Sequence, residues 1–409
     1  MKKTKKMSEY LPEEVVLQIL SRLPVKSILK FRCVCKLWNC IVKNPHFISA
    51  FSSNNHNHYF FLRHSYASYQ DSRLRFDNKH LDHYLRLYPP SDKAKIISVV
   101  ASSNGLVCLS GASQKFILWN PSIRKSLMVP ESTFPRSCPN SKTVLGFGFD
   151  SRTNDYKLLM ARFLVHSISE VFLYSLNSNS WKKILVACKY REGIDWLIDT
   201  SFVDGRFYWP IIAEKKNVVL VFDLRNEMFA EITLPECLEY VDKSYLKMKA
   251  FGESSIAVIH QNARDSSYES NIWVMKEYTS GAWMNLATVG KRWRGDSNVL
   301  EFRDNGEVLV SFYSGQCLAS YNIKNGRIKK LIYLDYRYER VSAYRHVESL
   351  ALLDKVYSAS LILWFPFQYN ICYYYKVLNI EILMEILNVG LVENTTKEHS
   401  AAMQILLEF

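Results

Sequence analysis

The chain has 409 residues, which is too long for one small domain and long enough to bury a large core. Apolar residues make up 48% and charged residues 22%, and only 14 residues are glycine, so a collagen-like or low-complexity chain is excluded. The formal net charge is +13, and the first fifty residues hold ten basic against three acidic side chains. We interpret this local excess as complementarity to an acidic protein, with a nuclear-import or nucleic-acid patch and simple solvation as alternatives.

Aromatic residues reach 14%, which favours a β-rich fold because aromatic side chains suit the half-buried faces of strands. The nine cysteines form no CxxC pair and no zinc-finger spacing, which predicts free thiols in a reducing compartment. Residues 1–6 form a basic leader with no apolar signal core behind it. We therefore expect a cytoplasmic or nuclear protein.

Residues 7–50 predict a module of three short amphipathic helices. The first begins at the segment LPEE, residues 11–14, because proline suits the first turn and acidic residues favour the positive end of the helix dipole. It ends at Pro24; a second helix covers residues 26–31, and a third ends before Asn44-Pro45. The apolar residues at helical spacing on the first and third helices are Val15, Val16, Ile19, Leu20, Leu23, Val34, Leu37, Trp38, Ile41 and Val42.

A helical unit of this size buries too little apolar surface to be comfortably stable alone. Burying one large apolar side chain contributes roughly 1.5–3 kcal/mol, whereas association costs on the order of 4–15 kcal/mol. A handful of anchors is therefore enough for firm binding to a partner without any catalytic residue. The alternative is that the apolar stripes pack only on each other or on the following domain.

The segments LPVKS, residues 23–27, and FRCVCKLW, residues 31–38, resemble the plant F-box. The resemblance implies docking onto a Skp-type adaptor, which joins the protein to a cullin-RING scaffold. It implies that the following residues form or support the adaptor interface: Leu11, Pro12, Val16, Ile19, Leu20, Leu23, Pro24, Leu29, Val34, Cys35 and Trp38. Cys35 departs from the family, which usually carries serine there; both side chains are small, so we expect no loss of binding.

A repeat of about fifty residues follows the helical module. An apolar strand, a polar turn and a second strand recur at residues 116–129, 171–184, 219–232, 272–286 and 317–332. Another hairpin precedes each copy, and Asn104-Gly105, Asp204-Gly205 and Asn305-Gly306 predict two-residue turns. Each unit thus offers four strands, the content of one propeller blade.

Five such units are visible in residues 96–353, and a sixth could be shared between the two ends of the chain. Residues 59–62 and 85–88 would then join residues 347–353 in one sheet, which removes the exposed edges of an open array. Residues 51–95 are otherwise interpreted as a connector. The predicted fold is mainly β: a three-helix module followed by a β-propeller-like domain, with an irregular β-sandwich or an open solenoid as alternatives.

The repeat region also resembles the F-box-associated domain of plant proteins, a group that includes S-locus F-box and F-box/kelch-like proteins. The residues that carry the likeness are 103–106, 119–122, 146–150, 155–157, 171–181, 272–275 and 321–323. The resemblance implies a non-catalytic subunit of an SCF-type ubiquitin ligase, whose propeller captures an unknown protein substrate for ubiquitylation and degradation. A non-catalytic basic β-domain that binds nucleic acid is the alternative, although we expect no nucleic-acid partner.

Two segments combine arginine and tryptophan, the residues that most often dominate protein interfaces. They supply the candidate substrate-binding residues Arg191, Trp196, Arg292, Trp293 and Arg294. The second segment could also stack on nucleic acid, and a plain solvated loop is the remaining alternative.

The histidines and the short sequence motifs predict neither a metal site nor a catalytic site. His56, His58, His64, His80 and His83 have irregular spacing, so we expect an exposed polar connector and no metal site. No phosphate-binding loop or nucleophile motif occurs, so we expect no cofactor and no catalytic residue.

Residues 356–375 lack charged side chains and are nearly long enough for a transmembrane helix. Pro366, Gln368 and Asn370 weaken that interpretation, and we expect no membrane partner. We interpret residues 354–409 as a divergent tail, or one that arises by mis-splicing or read-through.

Overall fold

A computed structural model describes residues 12–355 apart from short internal gaps. The gaps are residues 55–57, 67–68, 91–95, 112–114, 132–141, 165–166, 185–199, 214, 243–244, 263–268, 279–280, 291–296, 313–316 and 335–339. The chain divides into two units: Ile48–Leu353 forms one, and Met1–Phe47 with Asp354–Phe409 forms the other. The predicted tail lies, from residue 356 onward, outside the described residues.

Four helices begin the described chain. They are α1 (Glu13–Ser21), α2 (Val25–Phe31), α3 (Lys36–Lys43) and α4 (Pro45–Asn54). The first three confirm the predicted helices, and α3 contacts both α1 and α2. Phe31 and Trp38 meet edge to face with ring centroids 5.5 Å apart, so one aromatic pair joins the end of α2 to α3.

The fourth helix was not predicted. Asn44-Pro45 was interpreted only as the end of the third helix, but the same dipeptide also starts α4. The Asn44 side chain accepts a hydrogen bond from the His46 backbone N–H at 2.9 Å, and Pro45 occupies the first helical position, where its missing N–H costs nothing.

We call the unit Ile48–Leu353 the propeller unit, and its described residues contain 24 strands, paired antiparallel in six four-stranded sheets. The strands are β1 (His58–Tyr66), β2 (Tyr69–Phe76), β3 (His83–Leu87), β4 (Ile96–Ser103), β5 (Leu106–Gly111), β6 (Phe116–Asn120), β7 (Lys125–Met128), β8 (Lys142–Asp150), β9 (Asp155–Leu164), β10 (Ser167–Ser175), β11 (Ser180–Ile184), β12 (Ser201–Val203), β13 (Arg206–Ala213), β14 (Lys216–Asp223), β15 (Met228–Thr233), β16 (Leu246–Phe251), β17 (Ser255–Asn262), β18 (Glu269–Glu277), β19 (Ala282–Val289), β20 (Ser297–Phe302), β21 (Glu307–Phe312), β22 (Cys317–Asn322), β23 (Ile328–Tyr333) and β24 (Arg340–Val347). A short 3₁₀ helix, Glu236–Leu238, follows β15.

The six sheets close into a ring. Strands β4, β8, β12, β16, β20 and β24 each contact the next in this order, and β24 contacts β4. Five sheets are contiguous in sequence, and we number them as the first to fifth blades. They begin at β4, β8, β12, β16 and β20, respectively. The predicted propeller is therefore confirmed, and it has six blades.

The sixth sheet, which we call the closing blade, is shared between the two ends of the propeller unit, as predicted. Its strand order is β24-β1-β2-β3, and β1 pairs with both β2 and β24. The prediction that residues 347–353 supply the closing strand is wrong, because β24 ends at Val347. Residues 348–353 are buried without being a strand.

Two of the three predicted hairpin turns are confirmed. Asn104 and Gly105 have φ of 43° and 81°, and Asp204 and Gly205 have φ of 46° and 73°, as a two-residue turn with both residues left-handed requires. The prediction for Asn305-Gly306 is wrong. There the loop is longer, closed by hydrogen bonds from Gly306 N to Arg303 O at 3.1 Å and from Arg303 N to Glu307 O at 2.9 Å.

The core lies between neighbouring blades. One apolar cluster joins Val144 and Leu159 of the second blade to Phe207 and Trp209 of the third. A Cβ atom at Gly146 would collide with the Phe207 ring, and one at Gly148 with the Phe202 ring. The glycines of β8 thus let two blades approach closely, which gives the 146–150 segment a packing role.

The expectation of an exposed polar connector is wrong for His64. This residue lies in β1 opposite Asp71 of β2, and 1% of it is exposed. Burial lowers the pKa of His64 to about 4, against an opposing contribution from Asp71. His58 and His83 also lie in strands, β1 and β3, and His56 lies outside the described residues.

Candidate functional site

The helical module divides the predicted adaptor-binding residues into a core and a surface. Val16, Leu20, Leu23 and Trp38 are buried. Ile19, Leu29 and Cys35 are half-buried, whereas Pro12, Pro24 and Val34 are exposed. Leu11 lies outside the described residues. The buried members can support an interface from below, and the others are available for direct contact.

Two further apolar residues are exposed on the module. Val15 is 36% exposed and Leu37 is 37% exposed, close to the 43% of Val34. On α1, Val15 and Ile19 lie one turn apart, which places them beside the buried Val16–Leu20 pair and on a different face. Sequence reasoning placed Val15 and Leu37 on the helical stripes but did not separate inward from outward positions.

Local hydrogen bonds fix the segment that carries Val34 and Leu37. The Cys35 Sγ caps α3 by accepting from the Trp38 backbone N–H at 3.5 Å. The Arg32 Nε donates to the Asn39 Oδ1 at 3.2 Å, which ties the α2–α3 turn to α3. The two exposed apolar side chains therefore project from a structured turn.

The same module carries an excess of exposed basic side chains. Arg22, Lys26, Lys30, Lys36 and Lys43 are all exposed, whereas the acidic residues of the described module are Glu13 and Glu14 at the start of α1. An apolar surface within a basic field suits an acidic partner, because the charges speed encounter and the apolar contacts supply affinity.

On the propeller, the substrate-binding candidates Arg191, Trp196, Arg292, Trp293 and Arg294 lie outside the described residues. Their segments connect β11 to β12 and β19 to β20, each running from the outer strand of one blade to the innermost strand of the next. In this antiparallel arrangement the flanking strand ends lie at one face of the ring. Their role in binding stays a prediction.

The closing blade is joined to the fifth blade by a buried ion pair. Arg303, with 2% of its side chain exposed, donates through Nε to the Asp77 Oδ1 at 2.9 Å. It also donates to the Ser320 Oγ at 2.8 Å and to the Asn78 O at 2.6 Å. These contacts attach the turn between β2 and β3 to the contiguous part of the ring.

A second set of contacts attaches residues 348–353 to the first blade and the closing blade. The buried Asn120 Nδ2 donates to the Ser349 O at 3.0 Å and to the Ala351 O at 2.9 Å. The Tyr84 hydroxyl donates to the Glu348 Oε1 at 2.8 Å, and burial together with this carboxylate raises the pKa of Tyr84. These contacts hold the C-terminal end of the propeller unit in place.

The described residues contain no group of three or more His, Cys, Asp or Glu side chains placed to hold a metal. Within the same residues, no helix is long and apolar enough to cross a membrane.

Comparisons with known proteins agree with this architecture. The F-box associated beta propeller domain family matches residues 37–363, and the F-box domain family matches residues 9–49; neither is an enzyme family. The F-box/kelch-repeat protein At3g23880 of Arabidopsis thaliana is 26% identical over 78% of this chain and 89% of its own length. The F-box protein At3g07870 of the same plant is 26% identical over 80% and 88%, respectively.

Among solved structures, TolB from Acinetobacter baumannii is similar with a TM-score of 0.42 and 12% identity, over 71% of this chain and 66% of that one. A similarity at this level carries no argument about function. The family matches cover the helical module and the whole described propeller. The chain belongs to the F-box proteins that carry an F-box-associated β-propeller.

Proposed function

We propose that this protein is the substrate-receptor subunit of an SCF-type ubiquitin ligase. The helical module binds a Skp-type adaptor, and the propeller captures a target protein. The observation that carries the proposal is the exposed apolar set Val15, Val34 and Leu37 on a basic module whose family implies an adaptor partner.

The energetics favour a binding role for this surface. Burying a fully exposed large apolar side chain contributes roughly 1.5–3 kcal/mol, and these three, at 36–43% exposed, contribute a part of that each, so they act together with further contacts to offset the cost of association. The exposed parts of these residues add nothing to the stability of the module while they face water. A partner that covers them would stabilise the module and gain affinity together.

In this role the receptor performs no chemistry itself. It brings lysines of the captured protein near a ubiquitin-conjugating enzyme, which raises their effective concentration. Ubiquitylation and degradation of the target in the cytoplasm or nucleus would follow.

The test is binding of the purified full chain to a purified Skp-type adaptor at moderate and high salt. We expect binding that persists at high salt, because apolar burial supplies most of the affinity. Leu37→Asp and Val34→Asp should each weaken it at least about tenfold, since an acidic side chain cannot be buried against an apolar, acidic partner. Lys43→Gln is the matched surface control and should weaken binding much less.

Two results would contradict the proposal. One is a folded chain that binds no Skp-type adaptor. The other is binding to nucleic acid that falls steeply with rising salt and is unaffected by Leu37→Asp, which would favour the nucleic-acid alternative.

A further inference from the structure

The outer half of the closing blade carries a cluster of arginines. Asp71, Arg73 and Arg75 alternate along β2 and therefore share one face of the sheet. Arg86 of β3 lies directly opposite Arg73 in the strand register. Three guanidinium groups thus occupy one small area of the blade, which we call the arginine patch.

One buried carboxylate holds two of these groups. Asp71, with 2% of its side chain exposed, accepts from the Arg73 Nε at 2.7 Å and from the Arg86 Nε at 3.2 Å. Like charges directly opposite each other on a sheet are unfavourable, and Asp71 offsets that repulsion. The two guanidinium groups are thereby fixed side by side.

The patch remains accessible. The side chains of Arg73 and Arg86 are 32% and 47% exposed. Among the described residues Arg73 donates only through Nε, to Asp71. The Arg86 guanidinium lies 5.7 Å from the centre of the Tyr88 ring, and Tyr88 is 77% exposed.

The arginines of the patch also affect the neighbouring His83. Burial lowers the pKa of His83, and Arg75 and Arg73 lower it further. The Arg75 guanidinium donates through Nη1 to the Leu81 O at 2.8 Å, while its buried Nε has no hydrogen-bond partner among the described residues. The three arginines outnumber the two nearby carboxylates, Asp71 and Asp82, so the patch keeps a net positive charge.

We propose that the arginine patch, with Tyr88, binds an acidic peptide segment of the captured protein. This inference rests on the proposed function and names the chemistry of the substrate. The fork of an arginine matches a carboxylate with two parallel hydrogen bonds, and an exposed tyrosine beside it supplies apolar contact area. Arginine and tyrosine together are the composition of an interface hot spot.

The dimensions favour a peptide over nucleic acid. The patch spans two neighbouring strands, which lie about 4.8 Å apart, and successive same-face residues along β2 are about 7 Å apart. Two carboxylates, Asp71 and the exposed Asp82, lie in or beside it. They would repel either kind of polyanion, but a basic area of three arginines matches a short acidic segment, whereas nucleic-acid binding relies on neutralising many phosphates along a strand.

The test uses the full chain in complex with its Skp-type adaptor and a fluorescent hexaglutamate peptide, with a hexaglutamine peptide of the same length as the neutral probe. We expect the hexaglutamate peptide alone to bind. Arg86→Gln and Arg73→Gln should each weaken that binding about fivefold, because each removes one charged fork. Lys182→Gln, which removes an exposed charge from the outer strand of another blade, should change it less than about twofold.

A variant that is expected to strengthen peptide binding shows that the losses in the arginine variants do not come from misfolding. Asp82→Asn removes an exposed negative charge next to Arg75 and should tighten hexaglutamate binding about twofold. All variants should retain adaptor binding, so failure of this inference is distinguishable from failure of the receptor assignment.

Three outcomes would overturn the proposal. They are equal binding of the two peptides, an equal loss in Lys182→Gln and Arg86→Gln, and tighter binding of a single-stranded RNA of matched charge that the arginine variants abolish. The last would assign the patch to nucleic acid.

Discussion

In the helical module the apolar residues Val15, Val34 and Leu37 are exposed, whereas in the propeller the polar residues Asn120, Arg303 and His346 are buried. The module leaves apolar surface in water, which is favourable only if a partner covers it. The propeller takes polar groups out of water, which is favourable only if each finds its partner. Exposed apolar residues are typical of a binding surface. Buried, hydrogen-bonded polar residues are typical of contacts that fix one arrangement of the strands.

The buried polar contacts concentrate where the propeller closes. A contiguous blade keeps its strands together by short loops, but no loop joins β24 to β1. Arg303 holds the turn between β2 and β3, and Asn120 holds residues 349–351 beyond β24, at positions where apolar packing alone would tolerate a shift. We therefore expect substitutions at these contacts to cost more than matched substitutions in contiguous blades.

The largest expected effect is at Asp77. Asp77→Ala removes the buried carboxylate partner of Arg303, while the Glu307 Oε2 stays 3.5 Å from the Arg303 Nη1, and should lower the free energy of unfolding by about 3 kcal/mol. The control is Asp204→Asn, which removes the charge of a 66% exposed partner of Arg206, keeps a residue that tolerates the left-handed turn, and should cost less than about 1 kcal/mol. Urea denaturation of both variants measures the difference, and equal costs would contradict the special role of the closing blade.

Asn120→Ala is expected to have the next largest effect. It removes the donor for the Ser349 and Ala351 carbonyl oxygens and should cost about 2–3 kcal/mol. Asn322 ends the corresponding strand, β22, of the fifth blade. Its side chain accepts hydrogen bonds from the Lys324 and Asn325 backbone N–H groups in the turn that follows, but it does not bind residues 349–351. Asn322→Ala should therefore cost about half as much in the same denaturation experiment, and the idea fails if the order is reversed.

Acid should destabilise the propeller through its buried histidines. Burial lowers the pKa of His346 to about 3, from an ordinary value of about 6.5. Between these values the unfolded chain binds a proton that the folded chain does not, so stability falls as the pH drops below about 6.5. The loss is about 1–2 kcal/mol from His346 between pH 7 and pH 5.

His346→Gln should reduce this pH dependence by about that amount, while His64 continues to contribute in the same direction. The measurement is the unfolding free energy of both proteins at pH 7 and pH 5. An unchanged pH dependence in the variant would show that His346 is not held neutral by burial.

The smallest expected effect is in the helical module. Cys35 caps α3 through a sulfur acceptor, so Cys35→Ala should lower stability by about 0.5–1 kcal/mol. Cys35→Ser supplies a stronger acceptor and should raise stability by a few tenths of a kcal/mol. Thermal unfolding of the pair checks the order, and a more stable alanine variant would rule out the capping role.

The sequence was sufficient to predict the repeats and three helices because both follow from periodic apolar residues. It was insufficient for the closing strand, since residues 347–353 are more apolar than the true strand β24. These apolar residues pack on the first blade instead of forming a strand, because Ala351 and Leu352 belong to an apolar cluster with Leu106. His64 was misjudged for a related reason: its burial depends on the neighbouring strand, which local sequence does not specify.

The first helix illustrates the same limit. Val15 and Val16 are adjacent residues of the same type, yet one is 36% exposed and the other 1%. A helical step of about 100° separates the exposed residue from the core residue, and the packing of α3 on α1 decides which is which.

The most direct test combines adaptor affinity and stability in two variants of the full chain, Leu37→Asp and Asp77→Ala. Because the two residues lie in separate units, we predict that Leu37→Asp weakens adaptor binding at least about tenfold and leaves the unfolding free energy of the propeller unit nearly unchanged. Asp77→Ala should retain adaptor binding at a temperature where it is still folded, with a clearly lower unfolding free energy. If Leu37→Asp instead binds the adaptor as well as the parent chain does, the exposed apolar surface is not the adaptor site and the receptor assignment fails.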